Sequence, residues 1–509
     1  MTETADPDPN DPVPSDSITL EFDLSLEDAS RLGRLGALKQ SGTRGRARNQ
    51  AHEIIWLDTA HGDLAWKNRV LALVGGGYHL EYLGPAAAAG QWRDFLPAQP
   101  SPGLAEGSDA EALTGELPAP VVPMAGFRGQ LRRQSVGEDG GKMMLSLLHG
   151  SLRGVAQEFP CARLGLQGPR HSVLGLIGGL AQEICLTVPR ASMAAQALAA
   201  VRAQVPAARR LGTPALCAEM TLDEAMVASI GWLTDVINHW SALVPSAATP
   251  EPVHQMRVAL RRMRSLLMVW RRAPGGEVLA PYVPGLRELA AKLGAVRDWD
   301  VFLSGIGASA GAAFAGDARV SAMLVAAARA RTKAHKELCV VLESPQTARQ
   351  ILELTLVCHA TPWRGLAHHD EGRAALAAPA RDFGAKALTR LSRPIFSINH
   401  ALDRLEPDEL HDVRKRAKVL RYACDVFAPF FAPKATRKFL QRLADLQEVL
   451  GAVNDHHVAC VLSEQLPGSA DRQYAAGVIA GVGVRAAQKA RTESAQAFTK
   501  LRNESRFWH

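Results

Sequence analysis

His254, Arg257, Arg261 and Arg264 stand at positions i, i+3, i+7 and i+10, and His411, Arg414, Lys418 and Arg421 repeat that spacing 157 residues later. At about 100° per residue, four positions so spaced fall within an arc of roughly 80° on one side of an α-helix. Each set is one basic stripe, roughly 15 Å long at 1.5 Å per residue. Evenly spaced cations call for an anionic ligand, and a linear one suits the row better than one small anion. The neighbouring text repeats in the same register. VHQMRVALRRMRSLL closes with LGAVRDWDV, and LHDVRKRAKVLRYAC closes with LGAVNDHHV, so that Gly294 matches Gly451 and Asp298 matches Asp455 without a gap.

The apolar residues tell how such stripes are held. Met256, Leu260, Met263, Leu267 and Trp270 cluster on a neighbouring helix face, and Val413, Ala417, Leu420, Cys424 and Phe427 take the same places in the second copy. Both helices are therefore amphipathic and packed. A merely solvated face is the competing reading of the stripes. Such faces usually mix signs, with acids one turn from the cations, yet Met256 to Trp270 contains no Asp or Glu. For the histidines the competing role is a helix-start residue bonded to its own backbone. Asp298 and Asp455 read as structural, pairing with the Arg rows or capping a helix, because neither copy has a second acid at a fixed spacing.

The H-x-x-R-x-x-x-R/K-x-x-R helix followed by LG-x-V-x-D, present twice, resembles the CHAD family, the conserved-histidine α-helical domain. The likeness covers about Met220 to His509, including the closing Phe507 and Trp508. It implies a pair of antiparallel helical bundles related by a pseudo-twofold, whose basic helices line a groove or pore that binds inorganic polyphosphate. That role would fall on His254, Arg257, Arg261, Arg264, His411, Arg414, Lys418 and Arg421. Lys333, Lys336, Arg485 and Lys489, on later helices, would extend the track.

Charge follows the same division. From residue 220 onward there are 38 Lys and Arg against 28 Asp and Glu, a net of +10, while the first 219 residues hold 20 against 23, a net of −3. A basic domain also suits nucleic acid or an anionic membrane. Aromatic side chains for stacking bases are nearly absent from the stripes, where only Tyr422 stands close, and no base-reading motif is visible. A polyanion without bases fits better. No 18-residue apolar span occurs, and the opening MTETADPDPNDPVPSD is acidic and proline-rich, the reverse of a signal peptide. The seven cysteines show no CxxC and no metal-like spacing with histidine, and read as buried thiols in a reducing compartment. His368 and His369 read as loop residues rather than metal ligands.

The first 205 or so residues have a different texture. ITLEFDLSL, EIIWLDT and RVLALVGGGYHLEYL read as strands with a Gly turn, 84–126 is rich in Pro, Gly and Ala, and FRGQLRRQSV, KMMLSLLHGSL and ARLGLQG continue the β pattern. HSVLGLIGGLAQEICL reads as a helix. A mostly antiparallel sheet or barrel is expected. The order, with an acidic opening strand, an LDT turn and a late long helix ending in TVPRASMAAQAL, is similar to the CYTH or triphosphate-tunnel domain. That family's metal and triphosphate site uses alternating Glu with a Lys, then inward arginines. Here the first strand offers Glu21, Asp23 and Ser25 with no Lys, Arg69 is displaced, and the later acidic strand keeps only Glu158 before Pro160 and Ala162. Arg128, Arg132 and Arg133 would retain some anion affinity.

The expected protein is α+β and multidomain: a tail over 1–16, a degenerate CYTH-like antiparallel β-barrel-like domain over 17–205, a linker over 206–219, and an all-α CHAD domain over 220–509 with repeats at about 220–355 and 380–509. GIGASAGAAFAGD, from Gly305 to Asp317, is expected to be a loop, because Gly is a poor helix interior, and 1–16 to be mobile. The expected function is non-catalytic binding of inorganic polyphosphate, in the cytoplasm at polyphosphate granules, with granule-associated proteins as further partners and no membrane, metal or cofactor. A metal-dependent triphosphate or polyphosphate hydrolase is the second reading, and nucleic-acid binding the third.

Overall fold

A computed structural model describes residues 17–42, 45–83, 119–137, 141–154, 158–189, 192–201, 216–247, 249–399, 401–466 and 470–509. The tail at 1–16, most of the Pro/Gly/Ala-rich stretch and most of the linker lie outside them. The chain forms two compact units. One holds the described residues up to 201 together with 351–360, the other the described residues of 213–350 and 361–509.

Period-two alternation builds the first unit. In β1 (Ser17–Asp23), Leu20 and Phe22 are buried on one face, which leaves Glu21 and Asp23 on the other. With β2 (Arg48–Thr59), β3 (Arg69–Val74), β4 (Gly77–Tyr82), β5 (Val121–Val136), β6 (Met143–Arg153) and β7 (Glu158–Pro169) it forms one antiparallel sheet in the order β1-β7-β6-β5-β2-β3-β4. The sheet is curled into a half-barrel. Gly75 and Gly76 make the two-residue turn between β3 and β4 with φ of 59° and 87°, a turn that requires positive φ at both positions. In the LDT turn, buried Asp58 accepts the N–H groups of Thr59, Leu64 and Ala65 at 2.7, 2.9 and 2.9 Å. That carboxylate caps the short helix Asp63–Trp66 and has a structural task.

Helices α1 (Leu26–Arg31), α2 (Gly36–Gln40), α3 (Asp63–Trp66), α4 (Arg170–Glu183) and α5 (Met193–Val201) cover the sheet. Leu176, Ile177 and Leu180 of α4 pack with Leu20, Phe22, Leu145 and Leu164, whereas Met193, Ala194, Ala197 and Leu198 of α5 pack with Trp56, Val70, Phe127 and Cys161 on the opposite face. The expected single long late helix is thus two helices. The first ends at Glu183, where Ile184 is extended, and Thr187 bridges to Asp23.

The second unit is mostly helical. Its principal helices are α6 (Leu222–Leu243), α7 (Glu251–Trp270), α8 (Tyr282–Ser304), α9 (Ile306–Ala313), α10 (Ala318–Leu342), α11 (Pro345–Ala360, whose last ten residues cluster with the first unit), α12 (Trp363–Leu366), α13 (Asp370–Ala377), α14 (Ala380–Phe396), α15 (Pro407–Phe427), α16 (Pro433–Gln465) and α17 (Ala470–Arg502). Thr221 and Glu224 close a reciprocal capping box at the start of α6. The apolar stripes of the basic helices are interior: Met256, Leu260, Met263, Leu267 and Trp270 are buried, as are Val413, Ala417, Leu420, Cys424 and Phe427. Helix α7 packs against α6, α8 and α15, and α15 against α14 and α16. Trp270 stacks on Phe383 at 5.4 Å, meets Phe427 edge-on at 5.3 Å and donates its indole N–H to Ser229 Oγ at 3.0 Å. The closing Phe507 and Trp508 are buried against Phe439.

Two expectations are corrected. Gly305 to Asp317 is not a loop throughout, since Ile306–Ala313 is helical. Its small residues permit close packing: Ala310 is fully buried, and a Cβ on Gly311 would sit 3.0 Å from Leu324 Cδ1. Tertiary contact there outweighs poor propensity. The cysteines are not uniformly buried either, for Cys217 is exposed and Cys185, Cys339 and Cys460 are half-buried. His368 and His369 do lie in a loop, their rings 4.0 Å apart.

Because Trp270 fills the junction of α6, α7, α14 and α15, Trp270→Ala is expected to cost about 3–5 kcal/mol of stability. Urea unfolding followed by circular dichroism checks this, and a cost under about 1 kcal/mol would contradict the packing described.

Candidate functional site

The amphipathic patterns of α7 and α15 fix which way the cations face. With the apolar sides buried, His254, Arg257, Arg261, Arg264, Arg414, Lys418 and Arg421 are all half-buried beside the core, and His411 is exposed. The two rows come together. Lys418 of α15 feels the charges of Arg261 and Arg257 on α7 as well as Arg414 on its own helix. Burial first, and then these three guanidinium groups, push its amine down to about 7. Among the described residues no carboxylate lies within ion-pair distance of Lys418.

The LG-x-V-x-D segments sit on α8 and α16 and face the rows. Arg257 Nη2 lies 3.5 Å from Asp298 Oδ1, and Arg414 Nη2 lies 4.0 Å from Asp455 Oδ1. The two aspartates pair with the Arg rows, as their spacing suggested. Burial raises the Asp298 carboxyl, and Arg257 opposes the rise. Gly294 has a steric task in the first copy: a Cβ there would lie 2.6 Å from Arg257 Nη1, whereas Gly451 has open space. Arg257 Nη1, Arg264 Nε and Arg414 Nε are buried and make no hydrogen bond to the protein. Unengaged guanidinium donors at the edge of a core are costly unless something else accepts from them.

Three further cations were not singled out in the sequence. Position 297 is Arg in the first copy and 454 is Asn in the second. Burial, then Arg297, lowers His254. Asn454 Oδ1 instead accepts from Arg414 Nη1 at 2.9 Å and lies 3.1 Å from His411 Nδ1. Arg287, also on α8, acts with burial to hold Arg264 below its ordinary value. Arg262 lies beside the stripe and approaches Asp425 Oδ2 at 3.6 Å, and Arg421 Nε donates to Asp425 Oδ1 at 3.3 Å. For Arg297 the signal available was the VRD/VND contrast between LGAVRD and LGAVND. Lys333 and Lys336 are exposed on α10, and Arg485 and Lys489 are exposed on α17, where Lys489 lies 3.7 Å from Glu493. Among the described residues no hydrogen bond or ion pair ties these four to the rows.

The first unit also gathers charge. On the α5 side of the sheet, buried Arg163 reaches Asp23 at 2.9 Å and Glu21 at 3.6 Å, and Gln196 of α5 donates to Asp23 at 3.3 Å. Glu81 of β4 accepts from Trp56 Nε1 at 3.0 Å. Burial is the main cause raising Glu21, to about 7, with Arg163 opposing and Asp23 and Glu81 adding to the rise. The sequence reading had found Glu21 and Asp23 but missed Arg163 and Glu81, which become their neighbours only through strand pairing. Glu158, by contrast, pairs with Arg153 at 2.9 Å on an exposed edge. Met193, Ala194, Ala197 and Leu198 of α5 pack on this same face. Among the described residues no cluster of three or more His, Cys, Asp or Glu is arranged to hold a metal ion, and no helix is long and apolar enough to cross a membrane.

An amine held among guanidinium groups is a nucleophile at neutral pH. An amine-directed acylating reagent is therefore expected to modify Lys418 with a half-maximal rate near pH 7, and Arg261→Ala should move that midpoint upward. Peptide mass spectrometry across pH 6 to 10 checks it.

The CHAD domain from the plant Ricinus communis is 26% identical over 58% of this chain and 96% of its own, with a TM-score of 0.47. PptA from Streptomyces chartreusis is 15% identical over 55% of this chain and all of its own, with a TM-score of 0.40. No curated protein matches the chain. The family model for the CHAD domain matches residues 232–463, a span that contains both basic helices and both aspartates paired with them. This chain carries a CHAD domain at residues 232–463.

Proposed function

We propose that this protein binds inorganic polyphosphate through His254, Arg257, Arg261, Arg264, His411, Arg414, Lys418 and Arg421, without catalysis. The observation that carries this is the convergence of the two rows, with Lys418 among Arg257, Arg261 and Arg414 and with buried guanidinium N–H groups unengaged. Packed cations repel one another, and a multivalent anion bridging the rows relieves that repulsion while accepting the free donors. A linear anion with a charge on every unit matches a row better than a single phosphate does.

The two helical sets are read as copies of one bundle. The bounds of α7 moved by 157 residues fall on 408–427 beside α15, and those of α8 and α10 fall within or next to α16 and α17. Trp270 and Phe427 are equivalent positions and touch, which suits an axis passing between the rows. On this reading one polyphosphate chain contacts both copies, in the cytoplasm and at polyphosphate granules, where granule-associated proteins are further partners. Nucleic acid is disfavoured, since of the stripe region's side chains only Tyr422 could stack on a base. The first unit is read as a degenerate CYTH-like domain that positions the protein.

The hydrolase reading draws on one specific observation, the meeting of Glu21, Asp23, Glu81 and Arg163 on one sheet face. Against it, α5 packs Met193, Ala197 and Leu198 on that face, and Glu21 and Asp23 are held by the buried Arg163. No phosphate release is expected from tripolyphosphate with Mg²⁺ or Mn²⁺. Metal-dependent release that disappears on Glu21→Gln would establish the hydrolase instead.

Binding itself is tested by titrating long-chain polyphosphate at two salt concentrations. Each cation that meets a phosphate releases counterions, so affinity should fall steeply with salt, and each cation removed should flatten the slope by roughly one unit, by analogy with nucleic acids. Arg257→Ala with Arg261→Ala should weaken binding at least about tenfold, and adding Arg414→Ala and Lys418→Ala should weaken it much further. An unchanged affinity in the quadruple variant, with its helices intact by circular dichroism, would reduce the stripes to solvated faces.

A further inference from the structure

Position 425 is one of those where the two basic helices differ in charge. Asp425 lies one turn beyond Arg421 on the same side of α15, and its counterpart 157 residues earlier is Met268, one turn beyond Arg264 on α7. Met268 is 51% exposed and uncharged. Asp425 is half-buried and engages two guanidinium groups at once, Arg421 of its own helix at 3.3 Å and Arg262 of α7 at 3.6 Å. Arg262 also lies over the Tyr422 ring, 5.9 Å from its centroid. The last cation of the α15 row is therefore already partnered. The last cation of the α7 row is not, since Arg264 Nε makes no hydrogen bond to the protein.

Resting on the reading that the rows bind a polyanion, we propose that Asp425 is the stop that ends the anion track at the α15 end. Its carboxylate competes with the ligand for Arg421 and Arg262. The α15 row is then closed at Asp425, while the α7 row has an uncharged residue, Met268, at the matching place. Two physical points support this. An arginine that must surrender a carboxylate to accept a phosphate exchanges one charge-assisted bond for another, so its net contribution to affinity is small. It also releases fewer counterions than an unpaired arginine, because the carboxylate already neutralises it. The stop therefore shortens the working row and keeps binding of a long chain reversible.

The test titrates the full chain with long-chain polyphosphate at two salt concentrations, comparing the parent with Asp425→Asn and with Met268→Asp, which places a mirror-image stop beside Arg264. Asp425→Asn should bind at least about fivefold tighter with a salt slope steeper by one to two units, and Met268→Asp should bind at least about threefold weaker with a flatter slope. Asp425→Asn that is folded and binds no tighter than the parent would overturn the proposal. Should Asp425→Asn fail to fold, Met268→Asp decides alone, because residue 268 is exposed, and unchanged binding there would also overturn it. A parent protein that does not bind polyphosphate would instead refute the reading of the rows on which the stop depends.

Discussion

Mutual repulsion between the cations of α7 and α15 is the constraint that the helical unit is organised around. Burial first, and then the neighbouring guanidinium groups, hold Arg257, Arg414 and Lys418 below their ordinary values, with Asp298 and Asp455 opposing. Something has to hold these helices together against their own charge. Apolar packing does so: the buried faces run from Met256 to Trp270 and from Val413 to Phe427, and Trp270, Phe383 and Phe427 interlock where the helices meet. Asp298 and Asp455 each reduce one arginine's charge without cancelling the row. The rows keep a net positive charge.

The match between the copies extends to the ion pairs but not to their surroundings. Arg297 adds a cation beside His254, while Asn454 gives His411 and Arg414 a neutral acceptor. Gly294 makes room for Arg257, and Gly451 faces open space. Asp425 draws in Arg421 and Arg262, whereas Met268 is exposed and uncharged. The two basic helices thus differ at their ends although their cations keep one spacing.

The β unit shows the opposite balance of charge. Arg163 is buried between Asp23 and Glu21, and breaking such a pair by removing one member leaves an uncompensated buried charge. Its neighbours are apolar, with α5 seated on the same face. A cluster of this kind ties β1 to β7 whatever else it does, which is why Glu21 and Asp23 alone were a poor guide to chemistry.

Periodicity made much of this molecule legible from sequence alone. The strands from Ser17 to Pro169, the helix at Arg170–Glu183 and the basic helices with their buried faces all follow from spacings of two and 3.6. These are local rules, and a local rule needs no partner. Tertiary structure decided the rest. Arg163 and Glu81 joined Glu21 because β7 and β4 are brought to one side of a curled sheet, and Arg262 joined Asp425 because two helices 157 residues apart in register pack together. Ile306–Ala313 became helical because its small residues let α10 approach, a gain that no propensity scale records. Burial first, and then Arg261, Arg414 and Arg257, depress the basicity of Lys418, and Arg261 and Arg257 stand 157 and 161 positions away in the chain. Coulomb energy depends on distance in space, and only the fold sets that distance.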